Sequence, residues 1–124
     1  MTALPPTVLT TDAVCAALTR FRYAYPDESG LQAALSEALS AAEIPVTREV
    51  QLTARDRIDI LCGRIGIEVK TAGTAIAAYR QCQRYAHSDA LDALVLLTTR
   101  VDHATLPTTV GGKPLRVVLL NGAL

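Results

Sequence analysis

The 124-residue sequence has no tryptophan, one phenylalanine and one methionine. Any core must therefore be built from aliphatic side chains, and half of the residues are hydrophobic. That share excludes a disordered chain and fits one compact α/β or helical domain over residues 1–124. Cysteine is scarce: Cys15, Cys62 and Cys82 are odd in number and match no zinc spacing. Each lies in an apolar pattern and reads as a small buried hydrophobe, with a reducing cytoplasm as the expected location. Neither sign of charge is in excess, with twelve basic and twelve acidic residues. This argues against tight, indiscriminate binding of nucleic acid, although a local basic face is still allowed. No apolar run approaches the roughly 20 residues of a membrane span, so no membrane partner is expected. The start, with Pro5 and Pro6, lacks the basic-then-apolar pattern of a signal peptide. Also missing are a Ser-His-Asp set, a Walker motif and a glycine-rich dinucleotide loop. His87 and His103 stand alone, without the partners that catalytic histidines need.

What is present is a regular alternation of elements. Residues 1–10 read as an extended arm. A first helix should start near Thr11 or Asp12, with Val14, Leu18 and Phe21 on one face. The stretch Tyr25 to Gly30 breaks the chain. A second helix then runs to about Glu43, its stripe marked by Leu31, Ala34, Leu35, Ala38, Leu39 and Ala42. Three strands are predicted next, over Val46–Leu52, Arg57–Cys62 and Ile65–Lys70, the last two joined by a turn at Cys62-Gly63-Arg64. In the second of these, Ile58, Ile60 and Cys62 should face one side and Arg57, Asp59 and Leu61 the other. A third helix spans Thr74 to about Ser88, and Ala93–Thr98 suits a buried strand. A last strand covers Leu115–Leu120. Such an order implies a mixed central sheet flanked by helices.

Chemistry concentrates at Asp59 and, after eight intervening residues, Glu68-Val69-Lys70. Strand period places Glu68 and Lys70 on the same face, with Asp59 on the adjoining strand of the hairpin. Two converging carboxylates repel, and a hard divalent cation relieves that repulsion. Such an ion beside a lysine is what phosphodiester hydrolysis requires, because it offsets charge on the phosphate and activates water. The bland alternative is a solvated strand face carrying a Glu68–Lys70 ion pair.

The segments Arg57-Ile58-Asp59-Ile60-Leu61 and Gly66-Ile67-Glu68-Val69-Lys70 resemble the paired motifs of the PD-(D/E)XK nuclease superfamily. Ile58 replaces the proline of the first motif. The resemblance covers about residues 28–98 and implies a restriction-endonuclease-like αβββαβ core, here with an extra N-terminal helix. It further implies metal ligation by Asp59, Glu68 and the Val69 backbone carbonyl, with Mg²⁺ as cofactor and Mn²⁺ as substitute, and a catalytic Lys70. Gln81 and Tyr85, four apart on the third helix, resemble the Gln-X3-Tyr motif of the exonuclease-like branch and join the catalytic set by that likeness. Alternatively, Tyr85 is a core aromatic and Gln81 a surface residue. Superfamily members often carry a further acid on the helix before the first strand. Glu28 and Glu37 compete for that role. Glu28 is favoured because its rotation places it on the flank of the Leu31/Leu35 stripe, and it joins the implied catalytic and metal-binding residues. It can also simply stabilise the helix N-terminus. Gln32 can line the same pocket. Arg48, Arg55, Arg57, Arg80, Arg84 and Arg100 are the basic residues near the site, and Arg80 and Arg84, one turn apart on the third helix, are candidate phosphate contacts or solvated surface.

The leading expectation is therefore a Mg²⁺-dependent deoxyribonuclease, endonuclease or exonuclease, of DNA repair, recombination or a mobile element. DNA is its expected partner, with specificity from DNA ends, a homodimer or a partner protein. The alternative is a catalytically silent nuclease-fold module that binds DNA or protein. RNA as substrate, or a secreted toxin domain of the same fold, is a third option.

Overall fold

The computed structural model describes residues 9–120. Most of the expected N-terminal arm lies outside the described residues. Helix α1 (Thr11–Thr19) begins where the Thr10 hydroxyl accepts the Ala13 N–H, and α2 (Glu28–Ala41) begins where Asp27 caps Gly30. These caps satisfy amide donors that the first helical turn leaves free. Val14 and Leu18 are fully buried, but α1 stops before Phe21, which is 47% exposed and stacks with Arg20 instead of joining the core.

Strands β1 (Thr47–Gln51), β2 (Arg57–Cys62), β3 (Ile65–Lys70) and β4 (Ala93–Thr98) follow, with α3 (Ala75–Ala86) between the last two. A short 3-10 turn (Val101–Thr105), β5 (Thr109–Val110) and β6 (Lys113–Leu119) complete the described chain. The six strands form one mixed sheet in the order β1-β2-β3-β4-β6-β5. Strands β1, β2 and β3 pair antiparallel, β3, β4 and β6 parallel, and β5 antiparallel to β6. The parallel pair β3–β4 needs a crossover, which α3 supplies. Among the described residues no helix is long and apolar enough to cross a membrane.

Two apolar layers cover the sheet. Ile60, Cys62, Ile65, Ile67 and Val69 pack with α1 and α2. Leu94, Leu96, Leu115 and Ile58 pack against Ala78, Cys82, Tyr85 and Ala86 of α3. All six residues of β4 are buried, as expected of a strand covered on both faces. The three cysteines are free and buried.

One expectation fails in an informative way. Ile58 and Ile60 are two residues apart in β2, so strict alternation would place them on one face. Instead Ile58 lies in the α3 layer and Ile60 in the α1/α2 layer. The partner strand turns over with it. Val50, paired with Ile58, packs in the α3 layer, whereas Arg48, paired with Ile60, bonds Gln32 of α2. Between them, opposite Asp59, Glu49 has a positive φ of 55°, a conformation that non-glycine residues adopt rarely. Gly66 makes room for this change: a Cβ there would collide with Ile58 and crowd Leu91.

Candidate active site

The β2–β3 ladder is registered from Cys62↔Ile65 to Ile60↔Ile67 and ends there. The next pair would be Asp59 opposite Glu68. At this point the backbones part, and the side chain of Asp59 enters the gap, its Oδ2 accepting the Val69 N–H at 2.8 Å. A residue's N–H and C=O point to the same edge of a strand. The Val69 carbonyl therefore faces the same gap. Burial raises the Asp59 carboxyl above its usual range, the Val69 bond opposes this, and the Glu28 charge adds to it.

Glu68 projects from β3 toward α3 and is 2% exposed. Its Oε2 accepts the Tyr85 hydroxyl at 3.2 Å and faces the Lys70 ammonium at 3.5 Å. Its Oε1 is buried and no donor reaches it, while the Asp59 carboxyl lies within hydrogen-bonding reach of the Glu68 carboxyl. Buried polar atoms without partners are rare and costly. Burial, then the neighbouring Asp59 charge, push Glu68 up to about 8, while Lys70 pulls the other way. The repulsion read from the sequence thus has a physical expression in the fold. Lys70 is partly exposed, at the mouth of the site.

Tyr85 is buried, as a core aromatic would be, yet its hydroxyl is fully engaged. It lies 2.7 Å from Gln81 Nε2, which donates to it, and 3.1 Å from the Arg57 carbonyl, besides Glu68. Gln81 and Tyr85 therefore act together, tying α3 to the strand end before Asp59 and to the carboxylate of Glu68. Burial, then the charges of Glu68 and Asp59, push the Tyr85 phenol well up, which keeps it a neutral donor. Cys82, on the same helix, is likewise pushed up to about 12, by burial and then the Glu68 charge. Its thiol stays protonated and inert.

Glu28 opens α2 and accepts, through Oε1, the Thr71 N–H at 3.1 Å and the Thr71 hydroxyl at 3.3 Å. It thus holds the chain that leaves Lys70. Glu37 is exposed, in keeping with its rotation away from the stripe. Among the described residues no group of three or more His, Cys, Asp and Glu side chains is arranged to hold a metal ion. The donors that do converge are Asp59 and Glu68, with the Val69 carbonyl at the same gap. Two hard carboxyls within hydrogen-bonding reach of each other, one with a buried oxygen that no donor reaches, fit an oxygen-seeking divalent ion that keeps several waters.

A polar cleft of about 340 Å³ opens beside these groups, between the β1–β2 turn and α3. Arg55, Arg57 and Arg84 line it, and Tyr85 forms part of its wall. Arg80 is exposed outside that lining, Arg48 bonds Gln32, and Arg100 pairs with Asp102. His103 is fully buried, with Nδ1 2.8 Å from the Thr98 hydroxyl and Nε2 3.0 Å from the Gly73 carbonyl. It braces the loop after Lys70 and has no free nitrogen for chemistry. His87 is exposed and bonds the Gln83 carbonyl within its own helix. The roles of Thr71 and of the Arg57 carbonyl carry no signal in the sequence, because both depend on tertiary approach.

Comparison with family models, with curated proteins and with solved structures finds no match for the chain.

Proposed function

We propose that the protein is a divalent-metal-dependent phosphodiesterase of the PD-(D/E)XK type, acting on DNA. The observation that carries this reading is Glu68 Oε1: a buried carboxyl oxygen that no donor reaches, in a group held within hydrogen-bonding reach of a second carboxyl and beside a lysine. Buried polar atoms that no donor reaches, and carboxyls raised by burial and a neighbouring carboxylate, cluster at functional sites. The α2–β1–β2–β3–α3–β4 run supports the reading as well, being the αβββαβ order that the motif resemblance implies. Mg²⁺, or Mn²⁺ in its place, is the proposed cofactor, held by Asp59, Glu68 and the Val69 carbonyl.

When bound, the ion neutralises the carboxylate pair and offsets charge developing on the phosphate. The protein's own groups do the rest. Tyr85 and Gln81 fix the orientation of Glu68, and Glu28 fixes the strand end that carries Lys70 and adds negative charge near Asp59. The Lys70 ammonium, partly exposed, is placed to hold the attacking water by hydrogen bonds and to favour its hydroxide form. The water passes one proton to solvent and its oxygen bonds to phosphorus as the bond to the leaving sugar oxygen breaks, and that oxygen takes up a proton from solvent.

The test is incubation of linear and supercoiled plasmid with the protein in Mg²⁺, in Mn²⁺ and in chelator, beside Lys70→Ala. The expected result is metal-dependent cleavage that Lys70→Ala abolishes. Cleavage of the linear form alone assigns an exonuclease, and nicking of the circle an endonuclease. Full activity in Lys70→Ala contradicts the mechanism. Absence of cleavage with intact DNA binding favours the second reading, a nuclease-fold binding module, which the neutral charge balance also suits.

A further inference from the structure

The polar cleft beside Tyr85 has features of a built anion site. Its three arginines face one acid, Asp56. That acid is engaged: Asp56 Oδ1 holds the Arg84 guanidinium at 3.1 Å. Arg55 and Arg57 form no ion pair among the described residues, so their charge is uncompensated. The turn that presents them is closed by hydrogen bonds of its own. The Asp56 carbonyl accepts the Leu52 N–H at 2.8 Å and the Thr53 N–H at 3.2 Å. The Thr53 hydroxyl in turn accepts the Arg55 N–H at 3.1 Å and the Asp56 N–H at 3.0 Å. Gln51 and Gln81 also line the cleft, each amide with one hydrogen already given, to the Thr53 carbonyl and to the Tyr85 hydroxyl. Planar guanidinium forks on a hydrogen-bonded turn suit phosphate oxygens. The position matters as much as the charge, because Tyr85 belongs both to the cleft wall and to the contact with Glu68.

We propose that this cleft seats a phosphate group of the bound strand, one that neighbours the phosphodiester presented to Asp59 and Glu68. The assignment rests on the nuclease reading for its orientation. It commits to phosphate, either an internal phosphodiester or a terminal monoester at a 5′ end. By holding the strand one step from the chemistry, Arg55 and Arg57 set which bond is presented.

The experiment is fluorescence anisotropy of a labelled single-stranded oligonucleotide, titrated in chelator at several salt concentrations. It compares the wild type, Arg55→Gln/Arg57→Gln, and a control, Arg20→Gln/Arg22→Gln, at the end of α1 on the other face of the sheet. Each phosphate contact contributes about 0.7 to the slope of log affinity against log salt for a single strand. Because the cleft seats one phosphate, the cleft variant should lower that slope by about 0.7 and weaken binding alike for all sequences, while the control leaves both unchanged. If a 5′-phosphate strengthens wild-type binding and the cleft variant erases the gain, the occupant is the terminal monoester. If both oligonucleotides weaken alike, it is an internal phosphodiester. An unchanged slope in the cleft variant, an equal fall in the control, or no binding by the wild type overturns the assignment. A lowered slope in a protein that cleaves nothing in Mg²⁺ or Mn²⁺ leaves the cleft standing and removes the nuclease reading instead.

Discussion

Asp59 accepts the backbone N–H of Val69 through Oδ2 at 2.8 Å, so a side chain closes the β2–β3 ladder where the two backbones separate. The carboxylate therefore has two duties, one structural and one chemical, and substitutions should divide them. Asp59→Asn keeps an oxygen for Val69 and removes the charge. Asp59→Ala leaves a buried N–H without a partner, at a cost of about 1–3 kcal/mol. Urea unfolding should place Ala below Asn, and both variants should lose cleavage. Equal stability of the two would show that the Val69 bond contributes nothing.

Glu68 titrates at about 8, against 4.5 for an ordinary glutamate, because burial and the Asp59 charge favour its neutral form. A carboxyl raised on folding stabilises the fold when protonated. Its contribution is present below 4.5 and lost as the pH rises through about 8. In chelator the wild type should lose stability across that window, by at most about 1.4 kcal/mol for each pH unit crossed. Glu68→Gln should be flatter with pH and the more stable protein at pH 8. Thermal melts across pH check this, and identical pH profiles would contradict it.

The same proton must leave before a cation binds. Apparent Mn²⁺ affinity should therefore rise about tenfold per pH unit below pH 8 and level off above it. Calorimetry at stepped pH measures this directly. A flat profile over that range would mean that Glu68 is no ligand.

Tyr85→Phe removes the hydroxyl that joins Gln81, the Arg57 carbonyl and Glu68. The ring still fills the α3 layer, so the fold should persist. Loss of a group that orients a ligand commonly costs about 10–100-fold in metal affinity or activity, and cleavage assays should show a fall of that size. Unchanged kinetics would return Tyr85 to the role of a core aromatic.

Much of this was legible in the sequence, for physical reasons. Strands β2, β3 and β4 fall at their expected bounds, because a fully covered strand must be apolar and turn residues mark its ends. Gly63, with φ 59°, is the turn residue that the hairpin needed. The pairing of Asp59 with Glu68 followed from the hairpin register. Other features left no trace in the pattern. The turnover of β1 and β2 at Glu49 and Asp59 is invisible, since Ile58 and Ile60 read as a plain alternation. The two-residue β5 is too short for periodicity and exists only because Gly111-Gly112 folds it onto β6. The partner of Glu28, Thr71, is 43 residues away, and long-range polar contacts of this kind have no local signature.

The central claim is that the Asp59–Glu68 pair is a cation site, and isothermal titration with Mn²⁺ at pH 8 tests it most directly. The wild type should bind saturably, and Glu68→Gln and Asp59→Asn should each lose that binding while remaining folded. Equal binding in all three proteins, or none by the wild type at millimolar Mn²⁺, would contradict the account.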